Sequence, residues 1–384
     1  MKGMSIETPL AELHRAAGAA LAPYFGVALP EQFGDCSSEY RLAREHAALL
    51  DTNFRAVFSL SGPDRVRYLN AVLTSNVRDL AAGQGAIGLL LNAQGHILAE
   101  LETLALEDRL LILGHQLIRE QTAAILDKFI IMDDATLADE TAQSGTLAIE
   151  GPAAPDIVRE LTGIELAALA PYAHAPAAIK TLAGEVPCRV IRHSLFGFPG
   201  AEFLIRREAL APLWNALSAA VRARGGGPIG YQALNALRLE AGIPWFGADF
   251  DQHQIPHEAA IDQTHISYTK GCYTGQEIVE RVRSRGHVNR RRAAFLFSGA
   301  EPPAPGATLT VAAAEAGRAA DASEIGHVTS AAFSPLARKP LGMGYLRREH
   351  SQPGTRLQCG SAEAEVIELP LPAALGKAAP EGRS

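Results

Sequence analysis

Cysteine is scarce in this chain, and the few cysteines are scattered. The 384 residues contain four of them, Cys36, Cys188, Cys272 and Cys359, with no Cys-x-x-Cys pair. This spacing argues against a disulfide framework and against a zinc or iron–sulfur site built from protein thiols. Reduced thiols are typical of the cytoplasm, so the sequence predicts a cytoplasmic protein without a metal site.

Long apolar runs and an excess of positive charge are missing as well. No segment has the uncharged apolar length of a membrane span, and residues 1–30 lack the apolar region of a signal peptide. The formal net charge of −7 argues against a general nucleic-acid binder, because phosphate binding needs an excess of cations. We therefore expect no direct contact with nucleic acid and none with a membrane.

Several familiar motifs are absent too. The chain has no Walker loop, no dinucleotide-binding glycine motif after a strand and no serine nucleophile elbow. What remains is the composition of a globular protein, 47% apolar and 20% charged, with a length that suggests two or three domains.

One order of predicted elements occurs twice. A strand, a Gly-Pro turn, a helix, a hairpin and a second helix follow one another, with the turns at residues 62–63 and 151–152. Such self-similarity predicts a duplicated α+β region. After residue 291 the pattern changes to short β-like runs separated by proline and glycine, which predicts a small barrel or sandwich.

These patterns divide the chain into four parts. We expect one amphipathic helix over residues 6–24, followed by a linker, with the α+β region and the barrel after them. A low-complexity loop should occupy residues 312–322. The predicted parts are 1–35 (helix and linker), 36–290 (α+β region), 291–372 (barrel) and 373–384 (tail).

Chemistry-capable residues are densest at residues 270–281, which read Lys-Gly-Cys-Tyr-Thr-Gly-Gln-Glu-Ile-Val-Glu-Arg. Thr274 and Glu277 fit a capping box, which predicts that a helix begins here. Cys272 would precede the helix N-terminus, where the dipole and the cations Lys270 and Arg281 favour a thiolate. A buried, inert cysteine before a capped helix fits the same spacing.

This run resembles the signature of the YgfZ-type folate-binding proteins. These are relatives of the glycine-cleavage aminomethyltransferase, or T-protein, and take part in iron–sulfur cluster assembly or repair. Residues 237–244 (Leu-Arg-Leu-Glu-Ala-Gly-Ile-Pro) and 325–330 (Ile-Gly-His-Val-Thr-Ser) are similar to the folate-binding part and the barrel of that superfamily. The resemblance covers roughly residues 36–370. It implies an α+β fold of duplicated folate-binding units followed by a Greek-key β-barrel.

The resemblance also implies site residues. Glu240 would bind the pterin of folate, because a carboxylate can accept the neighbouring amino and ring N–H groups together. The alternative is a helix-end carboxylate paired with Arg238. Cys272 would be the working residue, supported by Lys270. The remaining predicted folate contacts are Arg238, Gln276 and Arg281, although Gln276 also fits a helix cap.

One departure from the transferases concerns an acidic pair that they carry after Gly-Gly-Ile. Here the run is Gly-His-Ile-Leu-Ala-Glu, residues 95–100, so Ala99 takes the first acidic position and Glu100 the second. The longer glutamate displaces the carboxylate by about one methylene, and transfer needs closer placement than that. We therefore interpret the chain as not being an aminomethyltransferase.

The resulting functional prediction is a protein that binds tetrahydrofolate or a derivative and assists iron–sulfur cluster assembly or repair through Cys272. Its partners would be folate and iron–sulfur client or assembly proteins, with only an indirect effect on tRNA modification. The alternative is a folate-dependent aminomethyltransferase of the T-protein class. If the chain is an enzyme, one-carbon transfer is the expected reaction. A folate-binding scaffold without chemistry is a third interpretation.

Overall fold

A computed structural model of the protein describes residues 6–311 and 324–371. The predicted tail, 373–384, and the predicted low-complexity loop, 312–322, lie outside the described residues. Within the described ranges, no helix combines the length and the apolar character needed to cross a bilayer.

The N-terminal segment is a small sheet with one short helix. It consists of β1 (Ile6–Glu7), α1 (Ala11–Ala16), β2 (Ala20–Tyr24) and β3 (Val27–Gln32), and β3 lies between the other two strands. The predicted single helix over residues 6–24 is wrong. Gly18 has a φ of +86°, a left-handed conformation that glycine adopts easily, and it turns the chain out of α1. The apolar residues that follow belong to a strand.

The first α+β unit follows α2 (Cys36–Glu45) and β4 (Ala48–Asp51). Its strands form an antiparallel sheet in the order β6-β7-β8-β5-β9. Its elements are β5 (Arg55–Ser61), α3 (Arg65–Val72), β6 (Gly85–Leu91), β7 (Ile97–Ala105), β8 (Leu110–His115), α4 (Arg119–Phe129) and β9 (Thr136–Asp139).

The second unit repeats this arrangement. Its sheet has the order β11-β12-β13-β10-β4-β14, so β4 takes the place that β9 has in the first sheet. The predicted duplication is therefore confirmed. Its elements are β10 (Ser144–Glu150), α5 (Ala154–Thr162), β11 (His174–Thr181), β12 (Gly184–Arg192), β13 (Gly200–Arg206), α6 (Leu210–Ala223) and β14 (Gly227–Pro228).

Each sheet packs one face against its own helices and turns the other face towards the partner sheet. On β7, Ala99 and Leu101 enter the apolar core beneath the helices, whereas Glu100 and Glu102 point to the opposite face. Leu113 of β8 and Ile191 of β12 belong to an apolar cluster between the two sheets. The polar residues that face inward beside this cluster form the candidate site.

The C-terminal part confirms the predicted barrel. Six described strands close in the order β15-β18-β17-β16-β19-β20, around an apolar core that includes Phe295, Val328 and Val366. The strand β19 was not predicted. The remaining elements are α7 (Tyr231–Ala241), α8 (Asp262–His265), α9 (Gln276–Arg285), β15 (Arg290–Phe297), β16 (Thr308–Val311), β17 (Glu324–Ser334), β18 (Lys339–Arg347), β19 (Arg356–Cys359) and β20 (Ala362–Ile367).

Candidate functional site

A cavity of about 130 Å³ lies where the two sheets, the N-terminal hairpin and the loop after α7 meet. Six of its eighteen lining residues are Phe, Tyr or Trp, which suits a flat ring, because aromatic faces stack on one another at short distance. A volume of this size holds a ring or a small group, and any longer ligand would have to extend through the mouth. The aromatic wall residues are Phe25, Phe54, Tyr172, Tyr231, Trp245 and Phe246.

Glu100 projects from β7 into this cavity and is held by two histidines. The Nε2 atom of His115 lies 3.2 Å from its Oε2 atom, and the Nε2 atom of His265 lies 3.0 Å from its Oε1 atom. Burial alone would raise the pKa of Glu100, but the hydrogen bonds from the two histidines outweigh it and hold the pKa well below its usual value. Glu100 is therefore an ionised carboxylate whose two oxygens both accept hydrogen bonds.

Glu102, two residues further along the same strand, belongs to a second buried network. Its Oε1 atom lies 2.7 Å from a terminal nitrogen of Arg55 and 3.1 Å from Nε2 of His193. Arg55 also binds Glu202 through Nε and Nη2, at 3.2 and 3.1 Å. Burial opposes the charge of Arg55, yet the attraction of Glu102 and Glu202 raises the pKa of the guanidinium above its usual value.

Most of these polar residues were missed by the sequence analysis. Glu100 was noted, and strand alternation could have added Glu102, because residues two apart on a strand share a face. Arg55, His193 and His265 come from the start of β5, the loop after β12 and the end of α8. No local motif connects them, so only the packing of the two sheets brings them together.

The structure places Cys272 on the surface, outside the residues that line the cavity. Lys270, predicted to support the thiol, binds the backbone of the first α+β unit instead. Its Nζ atom donates hydrogen bonds to the backbone carbonyls of Asn70, Leu73 and Ser75 at the end of α3, the last at 2.9 Å. Burial lowers the pKa of Lys270 to about 8. These hydrogen bonds therefore hold the segment around Lys270 against the end of α3 in the first α+β unit.

Gly275, in the same motif, explains why the prediction of a capping box was wrong. The predicted capping box does not form: Gly275 is the N-cap of α9, with a φ of +82° and no side-chain cap. A Cβ atom at Gly275 would lie 2.6 Å from the carbonyl oxygen of Asn92, and one at Gly95 would lie 3.0 Å from Ile278. The turn before α9 thus packs against the hairpin that leads into Glu100, and this close approach requires glycine at position 275.

Glu240 lies outside the lining of the cavity, between α2, α7 and the barrel. Its Oε2 atom accepts hydrogen bonds from Tyr40 and Arg44, at 2.7 and 2.8 Å. Its Oε1 atom accepts hydrogen bonds from Ser334, at 2.6 Å, and from the backbone of Leu336. Both oxygens are therefore engaged within the protein, and the predicted pterin contact of Glu240 stays without structural support.

Arg238 is fully buried and acts behind the cavity wall. It forms an ion pair with Asp249 and donates to the backbone carbonyl of Ile243 at 3.1 Å. Its guanidinium carbon lies 4.4 Å from the ring centre of Trp245, a cation–π contact. Since Trp245 lines the cavity, Arg238 positions the wall and does not line it.

The last two predicted folate contacts belong to α9. Gln276 is half-buried at the first position of the helix, and Arg281 is exposed and paired with Glu277 at 2.8 Å. Neither side chain lines the central cavity. Their predicted contact with folate stays a prediction, and the structure does not bring them to Glu100.

Comparisons with known proteins agree along nearly the whole chain. Residues 10–267 match the GCVT N-terminal domain, and residues 290–371 match the glycine cleavage T-protein C-terminal barrel domain. An aminomethyltransferase of Streptomyces avermitilis is 28% identical over 372 residues, which are 95% of this chain and 96% of that protein. A mitochondrial aminomethyltransferase of Gallus gallus is 29% identical, over 91% of this chain and 87% of its own length.

A solved structure has the same fold. The glycine cleavage system aminomethyltransferase T from Bartonella henselae superposes with a TM-score of 0.84 at 24% identity, and the alignment covers 96% of this chain and 98% of that one. The arrangement of two α+β units and a barrel is therefore shared by both proteins.

Proposed function

Because the chain belongs to the glycine cleavage T-protein (GCVT) family, whose N-terminal domain matches more than half of its residues, we propose that it catalyses folate-dependent transfer of an aminomethyl group. The feature that carries this proposal is the ionised carboxylate of Glu100, held between two histidines inside an aromatic-walled cavity. An ionised carboxylate in that position can stabilise positive charge on a reacting amine.

The interpretation of the sequence as not being an aminomethyltransferase was wrong. It is overturned by relatives named aminomethyltransferase that align over more than nine-tenths of this chain. The structure also removes its physical reason. Ala99 points into the core beneath the helices, so the first acidic position faces away from the cavity. Glu100 is the position that faces it.

Tetrahydrofolate is the cofactor of aminomethyltransferases, and the cavity suits part of it. The aromatic walls can stack on a pterin ring. The Nδ1 atom of His115 is buried and has no hydrogen-bond partner in the part of the chain that the structure describes, so it offers a contact to a ring N–H. Tetrahydrofolate supplies nitrogen atoms that accept the one-carbon unit. The ionised Glu100 lies in the same cavity and can stabilise positive charge that develops beside them.

A transfer assay tests this proposal. The purified chain is mixed with tetrahydrofolate and a lipoylated carrier protein bearing an aminomethyl group, and the release of ammonia is followed. We expect release that depends on both the chain and tetrahydrofolate. Binding of tetrahydrofolate without any release of ammonia above the uncatalysed rate would contradict aminomethyl transfer.

A second candidate function is the YgfZ-type role in iron–sulfur cluster assembly or repair. The exposed position of Cys272 within its motif favours it, because a thiol must be accessible to meet a partner protein. Under this proposal the protein acts in the cytoplasm on iron–sulfur client or assembly proteins and supports tRNA modification only through them.

Complementation in cells tests the second candidate. A strain that lacks the protein receives the wild type, Cys272→Ala or the control Cys36→Ala, and iron–sulfur enzyme activity is measured under oxidative stress. We expect only Cys272→Ala to fail. Full rescue by Cys272→Ala would reject a role for this thiol.

A further inference from the structure

We propose that the Oε2 atom of Glu102 is a binding site for a protonated primary amine in the central cavity. The identification of that amine with the aminomethyl group of the substrate rests on the proposed function. The presence of the binding site itself does not.

Glu102 carries an oxygen that is left open. Glu102 is only 3% exposed and lines the cavity. Its Oε1 atom is shared by Arg55 and His193, whereas its Oε2 atom has no hydrogen-bond partner among the described residues. A buried acceptor without a partner is costly, so a donor from outside the chain is expected there.

The neighbouring carboxylates are already satisfied. Both oxygens of Glu100 accept from histidines, and both oxygens of Glu202 accept from Arg55. Of the three carboxylates in these two networks, Glu102 is therefore the one with an oxygen free in the described structure. A ligand donor would meet a single oxygen, which suits one N–H group better than a paired, bidentate set.

The charge of the floor selects a cation over a neutral donor. The carboxylates of Glu102 and Glu202 share a single guanidinium, that of Arg55. Buried charges need compensation, and an ammonium supplies both the charge and the N–H donor. The faces of the surrounding aromatic side chains also attract cations.

Small amines provide a probe that does not depend on turnover. Binding of propylammonium to the full chain is measured by ligand-observed NMR, with tetramethylammonium as a cation that has no N–H and propanol as a neutral donor. We expect propylammonium to bind at least tenfold more tightly than either, since a charge-assisted hydrogen bond contributes about 1.5–3 kcal/mol and 1.4 kcal/mol is tenfold.

Variants then locate the site. Glu102→Gln keeps the shape and removes the charge, and we expect it to weaken propylammonium binding at least tenfold. Glu107→Gln, which changes an exposed carboxylate five residues away, should leave binding unchanged. If Glu102→Gln fails to fold, the comparison of the three probes on the wild type still tests whether the chain prefers a protonated primary amine.

Three outcomes would overturn the proposal. They are equal binding of propylammonium and tetramethylammonium, equal binding by Glu102→Gln, and a Glu102→Gln variant that loses affinity for tetrahydrofolate alone. The last would assign the oxygen to a neutral pterin N–H. If propylammonium binds as expected but no aminomethyl transfer occurs, the proposed function fails and the amine site remains.

Discussion

The motif around Cys272 and the central cavity differ in how they are built. The motif concentrates a thiol, a lysine and two glycines within six consecutive residues, yet Lys270 and Gly275 hold backbone segments together. The cavity floor takes Arg55, Glu100 and His265 from three distant elements, and these residues contact or line a shared space. The run that is densest in chemistry-capable residues along the chain therefore has a structural role, whereas the polar residues that cluster in space line the cavity.

The two regions are nevertheless connected. Thr74 donates a hydrogen bond to the carbonyl oxygen of His265 at 2.6 Å, and Lys270 binds the backbone on either side of Thr74. Lys270 and Thr74 thus hold in place the segment that contains His265, and His265 in turn binds Glu100. We infer that the motif around Cys272 supports the cavity site without contributing an atom to it.

The largest effect is expected at the cavity floor, from Glu100→Gln. This change keeps the shape and removes the negative charge. Aminomethyl transfer should fall at least about hundredfold, because the loss of one preorganised electrostatic contact costs about 10²–10³ in rate. Ammonia release under saturating tetrahydrofolate measures it, with Glu107→Gln as the control. Transfer within threefold of wild type would remove Glu100 from the chemistry.

Arg55→Met should cause the next largest effect, on stability. Removing the guanidinium leaves Glu102 and Glu202 buried without their partner, which costs about 3–5 kcal/mol. Urea unfolding measures the loss. The control Arg281→Met breaks an exposed pair within α9 and should cost only about 0.3–0.5 kcal/mol. Equal losses in the two variants would show that the floor is no more tightly coupled than the surface.

Gly275→Ala probes the motif as a clamp. Its Cβ atom would meet the carbonyl oxygen of Asn92, and its φ is in the left-handed region, so a destabilisation of about 1–3 kcal/mol is expected. Gly271→Ala is the matched control, since no described atom lies within 4 Å of its Cβ position. If both variants unfold at the same urea concentration, the proposed packing of α9 on the hairpin is not needed for stability.

The smallest effect concerns His193 and pH. Burial opposes its charge, but the adjacent Glu102 outweighs burial and raises the pKa of His193 above its usual value near 6.5. A raised pKa stabilises the fold below about pH 6.5, and this stabilisation is lost as the pH rises through the folded-state pKa. The difference in unfolding free energy between wild type and His193→Gln should therefore shrink between about pH 6 and pH 9. Urea unfolding across that range measures it, and a difference that grows with pH would reverse the assigned sign.

The fold could be predicted where local patterns repeat. The Gly-Pro turns at residues 62–63 and 151–152 marked the duplication, and the turn-rich strands after residue 291 marked the barrel. The missed strands include β4, β9 and β19, four residues each, because so short a run carries too little periodicity to identify it. The eight residues of β11 were missed as well, since their run is rich in alanine, which is uncommon in strands. The predicted N-terminal helix failed since apolar spacing continued past Gly18 into a strand.

The site could be predicted only in part. Glu100 came from a motif, and Glu102 was within reach of strand alternation. Arg55, His193 and His265 had no signal, because each is an ordinary polar residue until the two sheets face each other. Glu240 was singled out by resemblance, and Cys272 by the density of its motif as well, and the structure places both away from the cavity lining.

The amino-acid sequence by itself determined the fold class of this protein, its duplicated units and the strand that carries Glu100 and Glu102. These features depend on patterns between near neighbours in the chain. Only the tertiary structure decided which charges meet, which of them are buried and which oxygen of Glu102 stays open. Burial and ion pairing depend on the distance between side chains in space, and that distance is set by how the two sheets pack, not by spacing along the chain.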